Sequence, residues 1–239
     1  MAIDGLSREQ AFDFINEMTS TRNLLAYGIR SLRDAPFIET TLDPILSLLS
    51  IGVEKHLKLI RGVIGIDETG GWPPFNAMKG HDITAMYDSV MAAIRARTID
   101  KSQFVRDHVN GVDADPVIPA LMAVLDRYAH EGRFYNLDRL AERTQKDDPP
   151  WSYWSRVESI ALSDPAVNVK YSVAMADVSN QTAWNEFHAA LQGRVADALD
   201  RFWAMVCWVG KNHALGTTGR TLAFEVDQSM VGRQRASEM

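Results

Sequence analysis

A single cysteine, Cys207, occurs in the 239 residues, which excludes an intrachain disulfide and any metal site built on paired cysteines. A cationic surplus is missing too. Lysine and arginine number 25 against 31 aspartates and glutamates, and the net charge of −6 offers no global field to a phosphate backbone. Any nucleic-acid contact must therefore come from a local patch. Long apolar runs are absent as well. The most apolar stretch, Phe202 to Val209, falls far short of the ~20 residues that span a bilayer, so no membrane partner is expected. The opening MAIDGLSREQ carries acids where a signal peptide would be apolar, so the expected setting is the cytoplasm. A phosphate-binding glycine loop, a hydrolase nucleophile elbow and a His-Glu-x-x-His helix are all missing, and neither a cofactor nor a metal is expected.

What the chain does contain is helical periodicity. Ser7 and Gln10 have the spacing of a capping box, opening a helix with the stripe Ala11, Phe14, Ile15, Met18, Leu25, Ile29 and Leu32, which Pro36 stops. Arg22 lies inside that stripe. A buried arginine needs a partner, and Glu54 or Asp82 is the expected carboxylate. Asp43-Pro44 reads as the start of a second helix running to about Ile64, apolar around most of its circumference, with Glu54 and Lys58 paired on a narrow polar strip. His56 falls in the apolar sector. It reads either as a core histidine bonded to a carbonyl or polar side chain, or as a pocket histidine able to exchange a proton.

The segment from Asp67 to Gly80 reads as a loop whose Trp72 and Phe75 fold back on the core, and Asp82 as the cap of a third helix. A short helix near Lys101 to His108 and a helix capped at Asp115-Pro116 follow. Lys146 to Pro150 is the expected hinge. The last long helix runs from about Thr182 to Val209, with an exposed Asp197–Arg201 pair. Trp203 and Trp208 lie off its stripe, which suggests a second buried face against a partner subunit. Gly210 to Gly219 reads as a glycine- and threonine-rich loop. The fold expected is all-α, an antiparallel bundle of six to eight helices. Residues 1–145 would form its core and 151–228 would pack on it as one domain, with 229–239 a mobile tail.

The candidate site lies where the helix after Asp115 ends, in Arg127-Tyr128-Ala129-His130-Glu131-Gly132-Arg133-Phe134-Tyr135-Asn136. Arg127 and His130, at i and i+3, share a helix face pointing away from the apolar stripe. Arg133, Tyr135 and Asn136 follow on a turn, or on a helix capped by Asn136 or Asp138. Such side chains are able to gather an anion or nucleotide, and they are equally able to tie the junction to acidic neighbours.

The string Leu48-Leu49-Ser50-Ile51-Gly52-Val53-Glu54-Lys55, continued by Leu57-Lys58-Leu59 and by Lys79-Gly80-His81-Asp82 at the next helix, resembles the higher eukaryote and prokaryote nucleotide-binding (HEPN) superfamily. The resemblance covers about Ser7 to Leu140. It implies a HEPN-like helical core, frequent homodimers, and RNA- or nucleotide-directed roles in bacterial stress or antiviral defence, including metal-independent endoribonucleases. In those ribonucleases an arginine precedes a histidine by four to six residues, and no arginine here has that spacing. By the same resemblance Arg127 and His130 are the degenerate catalytic pair, the histidine as acid or base and the arginine on the scissile phosphate. Lys79, His81, Arg133, Tyr135 and Asn136 would bind ligand, with Arg22, Glu54, His56 and Asp82 as a polar core. A non-catalytic homodimeric scaffold or protein-binding module is the alternative. A concave patch of Arg127, His130, Arg133 and Lys79 favours the first reading; an apolar patch around Trp203 and Trp208, with those cations dispersed, favours the second.

Overall fold

A computed structural model describes residues 3–35 and 37–231. The fold is all-α. Eleven α-helices occur among the described residues, more than the six to eight expected, because short helices form inside segments that read as loops. The first, α1, spans Arg8–Arg33, and both bonds of the Ser7–Gln10 capping box are present. It ends at Arg33, before Pro36, which lies outside the described residues.

The second helix, α2, spans Ile38–Thr69 and so begins before Asp43 and contains Pro44. Asp43 is no cap. Its carboxylate instead accepts from the Tyr128 hydroxyl at 3.0 Å, a long-range bond invisible to a local reading. Gly70 closes the helix at φ 81°, a backbone state glycine adopts without cost. As expected, α2 is the buried rod of the molecule, with Leu49, Val53, Leu57 and Ile60 fully enclosed. Its register against α1 is antiparallel and close: a Cβ on Gly28 would lie 2.6 Å from Leu49, and one on Gly52 would lie 3.1 Å from Leu24.

Beyond α2, Trp72 folds back as expected, whereas Phe75 is 81% exposed within the one-turn helix α3 (Phe75–Met78). The Trp72 indole lies so close to Gly62 that a Cβ there would come within 2.1 Å of the ring. Gly62→Ala is therefore expected to lift the indole and cost about 1–3 kcal/mol. The measurement is the emission difference between each chain and its Trp72→Phe partner; an unshifted difference spectrum would refute the packing.

Next come α4 (Ile83–Thr98), capped by Asp82 as expected, α5 (Gln103–Asp113) and α6 (Val117–His130). A 3-10 turn and the short α7 (Tyr135–Leu140) lead to α8 (Pro150–Leu162) and α9 (Pro165–Ala176). The expected cap of α7 by Asn136 or Asp138 does not form; Asp138 instead holds Arg143 at 2.9 Å.

The helix α10 (Gln181–Lys211) packs against α1, α5, α6, α8 and α9, so both halves of the chain share one apolar cluster. Its Asp197–Arg201 pair is not made. Arg201 reaches Asp115 and Asp197 holds Arg33 at 2.8 Å. The glycine-rich stretch after it is mostly helix, α11 (Gly216–Glu225). A Cβ on Gly210 would lie 2.8 Å from the Gly219 carbonyl, so these glycines serve a close helix crossing rather than a loop. That crossing covers the second face of α10. Trp203 is buried by its own chain, its indole donating to the Val226 carbonyl at 2.7 Å, and Trp208 remains 38% exposed. The expected tail, 229–239, begins inside a 3-10 turn, Gln228–Met230, and its residues 232–239 lie outside the described region. No helix among the described residues is long and apolar enough to cross a membrane.

Candidate functional site

The end of α6 and the start of α4 meet because one carboxylate joins them. Asp126 accepts from the Ile83 amide at 2.6 Å, satisfying a first-turn donor of α4, while Asp82 accepts from the Ala85 amide at 2.7 Å. Burial raises the Asp126 carboxyl above its ordinary range, and the Ile83 amide only partly opposes the rise. Beside this junction opens a cleft of about 590 Å³, lined by Asp82, Thr84, Ala85, Asp88, Ala123, Asp126, Arg127, His130, Asp147 and Tyr153.

Arg127 and His130 thus share a cleft, and His130 faces outward as expected, but Arg127 does not. Arg127 is buried rather than facing outward. Its Nε donates to the Asp148 carbonyl at 2.8 Å and its Nη2 to the Asp147 carbonyl at 3.4 Å, so it pins the expected hinge to α6. The guanidinium also stands 5.8 Å from the Tyr135 ring centre. His130 is exposed, with Nδ1 3.1 Å from the Asp126 carbonyl oxygen and 3.6 Å from its carboxylate. Four aspartates face this single committed arginine. The cleft is electronegative, which opposes a phosphate and favours a cation.

The other expected site residues disperse. Lys79 is exposed outside the cleft; Arg133 returns to the Ala129 carbonyl at 3.2 Å, and Asn136 is exposed. His81 lies against α2 instead, its Nδ1 2.9 Å from Glu54 Oε1, which also holds Lys58 at 2.7 Å. Of the expected polar core, Arg22 and His56 are buried, Glu54 is partly covered and Asp82 is exposed. Arg22 binds neither Glu54 nor Asp82. Its Nη1 donates to the Glu225 carbonyl at 2.7 Å, so the negative end of α11 stands in for a carboxylate. His56 is fully enclosed, with neither ring nitrogen bonded to protein and its ring edge-on to Phe202, which places it in the core, one of the two readings, but without the bond that reading expected.

Sequence reasoning missed Asp88, Asp126 and Asp147. Only the i, i+4 spacing of Asp126 to His130 gave any signal. Also missed were the exposed side chains beside the cleft. Phe134 follows His130 by one turn, Trp151 follows Asp147, and both are more than half exposed. The two segments abut, since a Cβ on Gly132 would lie 2.7 Å from Pro150. Cys207 is no alternative nucleophile: burial pushes its thiol up to about 12. Among the described residues, no three histidine, cysteine or acidic side chains are placed to share a metal ion.

Comparison with protein-family models, curated proteins and solved structures gave no match.

Proposed function

We propose that this chain is a non-catalytic protein-binding module whose acidic cleft receives a basic segment of another protein, anchored by apolar side chains. The observation that carries this is the gathering of Asp82, Asp88, Asp126 and Asp147 around one opening whose only cation is spent on backbone carbonyls. The exposed Phe134 and Trp151 supply the apolar contact that a charged cleft alone would lack. An RNA-directed activity, as the family resemblance implies, would require Arg127 to leave those carbonyls and a phosphate to approach four carboxylates. Homodimerisation, on this reading, uses another surface, because two copies of the cleft repel. The Phe104, His108 and Trp208 ring cluster, with Lys211 4.9 Å above Trp208, is the surface offered for it.

The test is titration with a fluorescent amphipathic Lys/Leu peptide, in parallel with a single-stranded RNA. The peptide is expected to bind with an affinity that falls as salt screens the cleft, and to weaken about tenfold or more in the Asp88→Asn/Asp126→Asn variant. The RNA is expected to remain intact with the wild-type chain and with His130→Ala. Cleavage by the wild type that His130→Ala abolishes would overturn the proposal.

A further inference from the structure

Four of the five orphaned buried polar atoms among the described residues fall in one layer of the molecule. They are Thr21 Oγ1, Arg22 Nε and both ring nitrogens of His56. The helix register brings them together. Gly52 lies on Leu24 and Leu25, and Lys55 reaches Glu17 and Ser20, so His56 one turn beyond Gly52 faces the level of Thr21 and Arg22. Thr21 and His56 have no exposed surface and Arg22 has 4%. Phe202 walls the layer from α10, and the Glu225 carbonyl fixes the far end of the guanidinium.

The chemistry of this set selects its occupant. A neutral imidazole offers one donor and one acceptor, the threonine hydroxyl offers both, and Arg22 Nε is a donor alone. A small molecule carrying donors and acceptors together can meet Thr21, Arg22 and one imidazole nitrogen, and three protein partners is the usual complement of a buried water. A cation would meet the arginine, and an anion would leave the acceptors of Thr21 and His56 unfilled. We propose that this layer is an internal hydration site, in which ordered water bridges His56 to Thr21 and Arg22.

The experiment combines a double-mutant cycle with NMR, at pH 8 so that the imidazole is neutral throughout. For a hydrated layer, Thr21→Val and His56→Leu each lower stability, because each strips the shared water of a partner. The double variant then unfolds with a constant about tenfold below that expected from the two single effects combined. Cross-peaks between water and the Thr21 and His56 side-chain protons are expected in the native chain. A dry layer gives the opposite sign: each single variant removes an unsatisfied polar group and raises stability, the effects combine within about twofold, and the water cross-peaks are missing. Either of those results overturns the proposal.

Discussion

Asp115→Ala is expected to remove about 3–5 kcal/mol of folding stability, measured by urea unfolding at neutral pH. Asp115 has 3% of its surface exposed, yet it is a carboxylate, and it survives burial because three groups converge on it. Arg194 forks onto both oxygens at 3.1 and 2.6 Å, Arg201 reaches the second oxygen, and the Val117 amide donates at 3.0 Å. Arg194 also holds Asp164, the cap of α9, at 3.0 Å. One buried acid thus joins the starts of α6 and α9 to the flank of α10. Removing it leaves Arg194, whose side chain is only 16% exposed, without its fork. Arg201→Ala should cost about 1 kcal/mol or less, because that side chain is 44% exposed and water replaces the contact. Asp115→Asn keeps the amide acceptor and should fall between the two. A loss below about 1 kcal/mol for Asp115→Ala would show that the cluster contributes little.

His56 should make the fold acid-sensitive. Burial lowers its pKa from the ordinary 6.5 to about 4, so the folded chain holds a neutral imidazole where the unfolded chain takes up a proton. The sign follows: the contribution is complete above pH 6.5, declines as pH falls toward 4, and is lost below that. The interval corresponds to about 3 kcal/mol. Raised and lowered carboxylates titrate in the same region, so the informative quantity is a difference. The pH dependence of the wild type minus that of His56→Leu should show the loss between pH 7 and 4. Parallel profiles would mean that bulk solvent or a carboxylate keeps His56 at its ordinary pKa in the folded state, which one enclosed water does not do.

Several elements were legible in the sequence because their causes are local. The Ser7–Gln10 box and the Asp82 cap are satisfied by amides within three residues, and both form as read. The stripe Ile83, Met86, Tyr87, Val90, Met91 and Ile94 is buried in full, since helical periodicity alone places those residues on one face. Asp43-Pro44 misled because the same pattern serves a helix start and, here, a helix interior whose aspartate has a remote tyrosine partner. Gly210 to Gly219 misled because glycine marks flexibility in a loop and close approach in a crossing. The candidate site was half legible. Arg127 and His130 do share a cleft, but their electrostatic setting depends on Asp82, Asp88 and Asp147, which arrive from other segments.

By itself the sequence determined the helical class, the buried central rod and the Ser7 and Asp82 caps, because periodicity and capping act within a few residues. Beyond the local Glu54–Lys58 pair, tertiary structure decided which charges meet. It turned Arg22 to a carbonyl at the end of α11, gave Asp115 two arginines from α10, and brought Asp82, Asp88 and Asp147 to the cleft of Arg127 and His130. The physical reason is that a charge takes its free energy from whatever the fold brings within a few ångströms, and those neighbours lie tens of residues or more away along the chain.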